Sequence, residues 1–361
     1  MTSSLRGTDR PLSQVYDVAL LDLDGVVYVG PDAVPGAPDA LARTRSDGMR
    51  LAFVTNNAAR PPSVVAAHLT ELGIAADPVE VVTSSQAAAR YLAERLPEGA
   101  HVLVVGTVGL VEALRERGLV PVDDADGPVD AVVQGFSPEL NWRLLAEGSI
   151  ALNRGVPWIA TNADPTVPSP RGPLPGNGSL VAALRTATGR EPVITGKPDP
   201  AMHRESLLRS GADRPVVVGD RLDTDVEGAN AVGCASLLVL SGVTTPSDLV
   251  HATPKLRPTY LAADVAGLLM AHPQPDVIDG GSRCGRWRVV QDGPALRLGT
   301  GGADSGTRAD ESDEAGDELD ALRALCAAAW AADPPADRNW VFEVEDADEG
   351  ARELLERWKL V

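Results

Sequence analysis

The stretch VYDVALLDLDG, residues 15–25, is an apolar run that ends in two aspartates, Asp22 and Asp24, with a glycine directly behind them. A run without alternation of apolar and polar residues reads as a strand buried on both faces, as in parallel sheets covered by helices. Asp and Gly also form turns, so D-x-D-G marks a strand passing into a loop. Extended geometry adds something more specific. Residues i and i+2 point the same way, which brings both carboxylates into one small volume. Two like charges so placed call for a positive partner.

Outward from this stretch the pattern repeats. LAFVTNN (51–57), PVVVGD (215–220) and ASLLVLSG (235–242) read as further buried strands, and PDALARTRSDG (38–48), PPSVVAAHLTELG (61–73) and DPAMHRESLLRSG (199–211) as helices between them. The fold class is α/β, a doubly wound parallel sheet. Three strands end in polar tips: Asp22 and Asp24; Thr55, Asn56 and Asn57; and Asp220 followed by Asp223 and Asp225. Ligands of open α/β sheets bind at the carboxyl ends of the strands, so these tips converge on one crevice. TGKPDP adds Lys197, one of only three lysines among 32 basic residues, where a compact point charge is wanted in place of a planar guanidinium. Carboxylates crowded into a crevice require a cation, and hard oxygen ligands select Mg²⁺. An ammonium, a hydroxyl and backbone N–H groups beside the metal make an anion cradle. Metal, cradle and a spare carboxylate point to phosphoryl transfer: one Asp attacks phosphorus, and its neighbour two residues on protonates the leaving oxygen.

Composition narrows the function classes. The 361 residues are 44% apolar, enough for two or three globular domains. The charge of −19 supplies no basic stripe for nucleic acid, and residues 301–361 alone carry 17 acidic and 6 basic residues, a net of −11 that leaves −8 for the first 300. Cys234, Cys284 and Cys326 are scattered without C-x-x-C spacing, so neither a disulfide framework nor a cysteine zinc site is expected. The N-terminal MTSSLRGTDRPLSQ has no apolar signal core, and no apolar run approaches the length of a membrane span. A cytoplasmic location is expected, and a homo-oligomer is compatible with the sequence. The five histidines are dispersed and read as packing or surface residues. Gly106 and Gly109 only weakly echo a dinucleotide loop, and Gly176–Asn177–Gly178–Ser179 reads as a turn with a helix N-cap.

LDLDGV, VTNN, GKP and GDRLDTD, in this order and at strand ends, resemble the four motifs of the haloacid dehalogenase (HAD) superfamily of phosphatases. The resemblance implies Asp22 as the nucleophile that forms an aspartyl-phosphate, and Asp24 as general acid and then base for the hydrolytic water. It implies that Thr55 and the Asn56 N–H bind the phosphoryl oxygens beside Asn57, with Lys197 stabilising their charge. Mg²⁺ would be held by the Asp22 carboxylate, the Asp24 carbonyl and the Asp220 carboxylate, with Asp225 orienting the metal shell.

Only 31 positions separate Asp24 from Thr55, whereas 142 separate Thr55 from Lys197, so a lid is inserted there. HVLVVGTVGLVEALRERG, VDAVVQGF and WIATNADPTVP read as its strands and helices. The placement resembles the type II cap of NagD-like (IIA) phosphatases, which act on small phosphomonoesters: glycerol 3-phosphate, 2-phosphoglycolate, pyridoxal phosphate and nucleotides. The expected domains are a HAD core at 1–83 and 191–275, a C2-type cap at 84–190, and an α+β extension at 283–361. Cap residues Asn162 and Asp164 are expected to contact the substrate, with glycerol 3-phosphate ranked first because aromatic residues are few; Arg171 would suit a carboxylate such as 2-phosphoglycolate. A phospho-accepting receiver-like signalling domain is the rival class, but needs neither Asp24 nor a lid. The tail reads as a Pro/Gly linker (272–285), a strand-like WRVVQDG and LRLG, a flexible acidic stretch (299–318), a helix, a strand WVFEVED (340–346) and a last helix. It weakly resembles a reduced acetyltransferase-like module but lacks the glycine-rich pyrophosphate loop for coenzyme A, so a structural or interaction role is expected of it. A cut near Gly280 is expected to leave the chemistry intact, although Trp330, Trp340 and Trp358 must be buried somewhere.

Overall fold

The apolar run at the start of the chain becomes strand β1 (Val18–Leu21), shorter than the run because Leu12–Val15 form a helical turn. Strands β2 (Arg50–Thr55) and β3 (Val81–Thr83) follow. The chain then builds a second sheet from β4 (His101–Val105), β5 (Val120–Val122), β6 (Ala131–Gln134), β7 (Trp158–Ala160) and β8 (Val193–Ile194). It returns to the first sheet with β9 (Pro215–Gly219), β10 (Ala235–Val239) and β11 (Tyr260–Ala262). In this computed structural model the described residues are 5–167, 169, 171–301, 314–332 and 343–361, with backbone only for 314–317.

The first sheet has the order β11-β10-β9-β1-β2-β3, and every pair is parallel. Ala19 and Leu21 of β1 join one apolar layer with Phe53, Val216 and Leu237, while Val18 and Leu20 join the opposite layer with Ala52, Val54 and Val217. Burial on both faces is why the strand reads as an unbroken apolar run. The inserted sheet, β8-β7-β6-β4-β5, is also parallel. Its last strand corrects the sequence boundary at 190: Val193–Ile194 pair with Ile159–Ala160 of β7, so the core resumes after residue 194.

The tail departs further from expectation. A third sheet of β12 (Asp276–Ile278), β13 (Gly281–Cys284), β14 (Trp287–Asp292), β15 (Ala295–Thr300) and β16 (Glu343–Asp346) is antiparallel except for its last pair. The stretch 272–285 is therefore largely a hairpin and not a linker. Its Asp279–Gly280 pair is a hairpin-turn signal between short β-runs. The expected flexible segment falls largely at 302–313, outside the described residues, as do Trp340 and the start of WVFEVED. Helix Glu314–Ala331 packs on this sheet and, with it, on the core: Leu322, Leu325 and Trp330 share one buried cluster with Leu238 of β10 and Leu261 of β11. The extension covers one face of the two outer strands β10 and β11, and Trp358 packs against the same cluster. A cut near Gly280 would strip that cover, so the expected separable module is corrected to a shared core.

Candidate active site

Three strand ends of the first sheet and the segment after β8 meet at one crevice. Asp22 follows β1, and its N–H still donates to the Val218 carbonyl at 2.8 Å, which holds it on the sheet. Thr55 ends β2, and Asp220 follows β9. Gly25, with φ +83° and packed on the Asp220 carboxylate, turns the chain where any side chain would clash. Lys197 arrives from the segment after β8. Its Nζ donates to Asp22 Oδ1 at 2.6 Å and to Asp225 Oδ1 at 2.7 Å, with the lysine side chain 4% exposed. Asp22, Asp220, Asp225 and Lys197, all expected from the sequence, are thus brought together, although Asp22 and Lys197 lie 175 positions apart.

Electrostatics shows what this cluster lacks. Burial opposes the Lys197 ammonium, but Asp22 and Asp225 overcome it and hold the group protonated well above its ordinary range. Burial pushes the Asp22 carboxyl up to about 8, with Asp225 and Asp220 adding to the rise and Lys197 opposing it. Asp220 is pushed up to about 6 by burial and by Asp225. One oxygen from each of Asp22, Asp220 and Asp225 lies within 4.8 Å of the others, and with all three ionised against one ammonium two negative charges stay uncompensated, which is why, beyond burial, the Asp22 and Asp220 carboxyls are driven up without a cation. Asp220 Oδ1 is buried with no hydrogen-bond partner among the described residues. An all-oxygen donor set with an orphaned oxygen and a deficit of two charges fits Mg²⁺. Asp225 spends its other oxygen on the Arg221 N–H at 3.2 Å, which suits it to orienting its neighbours.

Asp24 lies at the crevice wall with its side chain open to solvent on one side, while the protein on the other side desolvates its carboxyl and raises its pKa against the pull of Lys197, Arg60 and His68. Thr55 is buried; its hydroxyl oxygen accepts the Asn57 N–H at 3.1 Å, which leaves its proton to donate. The Asn56 side chain clamps the Lys197 backbone, accepting its N–H at 2.8 Å and donating to its carbonyl at 3.2 Å. Asn57 is exposed and accepts the Ala59 N–H at 2.8 Å.

The cap is pinned to this apparatus. Asn162, buried, donates to the Asn56 carbonyl at 2.8 Å and accepts the Asp164 N–H at 3.3 Å. Its side chain thereby joins cap to core. Asp164 is half-buried, and its pKa is raised by burial against the pull of Arg221 and Lys197 across the crevice. Gly176 is the N-cap of helix Asn177–Thr188, as the turn-and-cap reading expects, but without a side-chain cap bond, and Gly178 is there because a Cβ would strike the Ala163 carbonyl. Asn177 donates to the Asn162 carbonyl at 2.8 Å. On the far side, fully buried Glu205, on the helix after Lys197, binds Arg90, Arg209 and, at 2.9 Å, the cap's Arg117.

Arg60 and Arg221, whose charges reach Asp24 and Asp164, were missed from sequence because arginine is this chain's ordinary surface cation. The segment Ser241–Thr244 behind Asp220 was missed too. It is the tip of β10, and the strand-end rule that found the other tips would have found it.

Comparison with known proteins follows the same outline. The profile of haloacid dehalogenase-like hydrolases matches residues 19–120, a HAD-hydrolase-like profile matches 194–268, and a GCN5-related N-acetyltransferase like domain matches 284–360. The D-glycerol 3-phosphate phosphatase of Mycobacterium tuberculosis is 43% identical over 98% of this chain and 96% of its own. An acid sugar phosphatase of Staphylococcus aureus is 37% identical over 69% of this chain and 95% of its own. Among solved structures, the M. tuberculosis glycerol phosphate phosphatase in complex with magnesium superposes with a TM-score of 0.86 at 42% identity, covering 98% of this chain and all of that one. A p-nitrophenyl phosphatase from Archaeoglobus fulgidus gives 0.64 at 32% identity, over 70% and 98% of the two chains. The tail match answers to the acetyltransferase-like reading of the extension. With the strand-tip carboxylates, the lysine and the inserted lid all in place, the chain belongs to the haloacid dehalogenase superfamily of hydrolases.

Proposed function

We propose that this phosphomonoester hydrolase cleaves glycerol 3-phosphate to glycerol and phosphate through an aspartyl-phosphate on Asp22, with Mg²⁺ as cofactor. The observation that carries the reading is Lys197 Nζ bridging Asp22 and Asp225 beside the orphaned Asp220 oxygen. Lys197 holds Asp22 Oδ1, so the second carboxylate oxygen is the one offered to phosphorus. That oxygen forms the new P–O bond as the ester P–O bond breaks, and Asp24 gives its proton to the departing glycerol oxygen. Asp24 then takes a proton from water as the water oxygen attacks phosphorus, and the bond to Asp22 breaks to release phosphate. Thr55 and the Asn56 N–H hold the phosphoryl oxygens, and Lys197 balances their charge. Mg²⁺, held by Asp22, Asp220 and the Asp24 carbonyl, would neutralise the phosphoryl group and the nucleophile together.

Asp24→Asn is expected to cut kcat by about 100-fold with the fold intact, since an amide cannot move the proton. Steady-state kinetics beside a circular-dichroism melt checks this, and unchanged kcat would remove Asp24 from proton transfer.

The substrate must be chosen by the cap, because the core chemistry is common to the family. Asp164 supports a polyol: a carboxylate accepts hydroxyl protons and repels an acidic substrate such as 2-phosphoglycolate, and Arg171 is exposed. The likeness to glycerol phosphate phosphatases along nearly the whole chain supports the same choice. With glycerol 3-phosphate, 2-phosphoglycolate, pyridoxal phosphate and UMP compared by kcat/KM, glycerol 3-phosphate is expected to lead by about tenfold or more. A preference for either ring-bearing compound overturns the polyol reading. A cytoplasmic setting belongs to the same proposal, supported by three unpaired cysteines, and no helix among the described residues is long and apolar enough to cross a membrane.

A further inference from the structure

Asp220 is gripped from behind by a segment outside the four motifs. Its Oδ2 accepts the Val243 N–H at 2.7 Å. Its backbone carbonyl accepts the Thr244 hydroxyl at 2.6 Å and the Thr244 N–H at 3.2 Å. In the same segment the Ser241 hydroxyl donates to the Gly25 carbonyl at 2.6 Å, which ties the turn behind Asp22 and Asp24 to the support of Asp220. Helix Pro246–Val250 begins directly afterwards, and it packs against the extension helix Glu314–Ala331. Leu249 and Val250 are buried in the cluster that holds Leu322, Leu325 and Trp330. Leu222 and Val226, which flank Asp225 in the acidic turn, belong to that cluster as well. The extension helix is itself fixed from both sides. Buried Arg323 donates to the Leu261 carbonyl of β11 at 2.7 Å, and the Ser282 hydroxyl of β13 donates to the Ala324 carbonyl at 2.6 Å.

We propose that the C-terminal module is a positioning element of the phosphatase site: its long helix fixes helix Pro246–Val250 and, through residues 241–245, sets the orientation of Asp220. The proposal rests on Asp220 being a metal ligand. Mg²⁺ demands near-ideal octahedral geometry, so a displacement of about half an ångström in one ligand weakens it. A module that only enlarged the core would contribute stability without touching metal affinity.

The test is Mg²⁺ binding to full-length protein by titration calorimetry, with thermal melts alongside. Leu325→Ala, at the heart of the extension helix, and Thr244→Val, which removes the hydroxyl on Asp220, are each expected to weaken Mg²⁺ binding about tenfold. The Mg²⁺ half-saturation of kcat should rise in parallel while KM for substrate holds, and Thr244→Ser should restore binding. Leu152→Ala, an equally buried truncation in the cap, should lower Tm and leave Mg²⁺ affinity alone. Should Leu325→Ala fail to fold, Leu325→Val is expected to shift affinity in the same direction by less. Unchanged Mg²⁺ affinity in the folded Leu325 variant, or an equal loss in Leu152→Ala, overturns the proposal. Asp220→Asn separates the two levels: full Mg²⁺ affinity there would refute the ligand assignment itself.

Discussion

Asp22→Asn is expected to lower kcat for p-nitrophenyl phosphate by about 10,000-fold or more, the scale of losing a covalent nucleophile. The amide is nearly isosteric, and its carbonyl oxygen can still accept from Lys197 Nζ, now 2.6 Å from Asp22 Oδ1. Lys197 also keeps Asp225 at 2.7 Å, so its charge stays compensated in the buried site. One carboxylate fewer relieves the repulsion that, after burial, helps push Asp22 up to about 8. The variant should therefore melt at or above the temperature of the metal-free parent while losing turnover. That combination distinguishes loss of a nucleophile from loss of a fold. Substantial metal-dependent activity in Asp22→Asn would place the attack elsewhere.

Chelation carries the second large effect. EDTA is expected to reduce activity by about 1,000-fold, equivalent to several kcal/mol of transition-state stabilisation, and added Mg²⁺ to restore it. Three clustered carboxylates facing one ammonium leave two charges uncompensated, which a divalent ion neutralises and a monovalent one does not. Ca²⁺ should occupy the site and inhibit, because its larger and looser shell positions an in-line attack poorly. A hydrolase rate untouched by EDTA, or one supported equally by Ca²⁺ and Mg²⁺, would contradict this account of the acidic cluster.

The core sheet and the cluster of Asp22, Asp220, Asp225 and Lys197 were legible in the chain itself. Phosphoryl chemistry demands particular residue types at strand ends, and a strand buried on both faces announces itself as an unbroken apolar run. LLDLDG, VTNN and GDRLDTD are local strings, so their reading needed no knowledge of what packs on what. The size of the gap between Thr55 and Lys197 was enough to locate the lid.

Asn162 marks where such reading stops. Its position beside Asp164 in a polar loop suggested a substrate contact, and nothing in that loop announced that its amide reaches the Asn56 carbonyl, a partner 106 positions away. Arg60 and Arg221 look like any other surface arginines until folding brings their charges to Asp24 and Asp164. The tail is the largest case. Composition shows an acidic surface and a Pro/Gly-rich entry, whereas which apolar residues face the core depends on how the extension docks on β10 and β11. Residue type and local period thus determined the parallel core, the lid and the acidic cluster. Only tertiary packing decided that Asn162 pins the cap, that residues 241–245 grip Asp220, and that the extension completes the core, because each depends on pairings between segments whose local patterns do not encode one another.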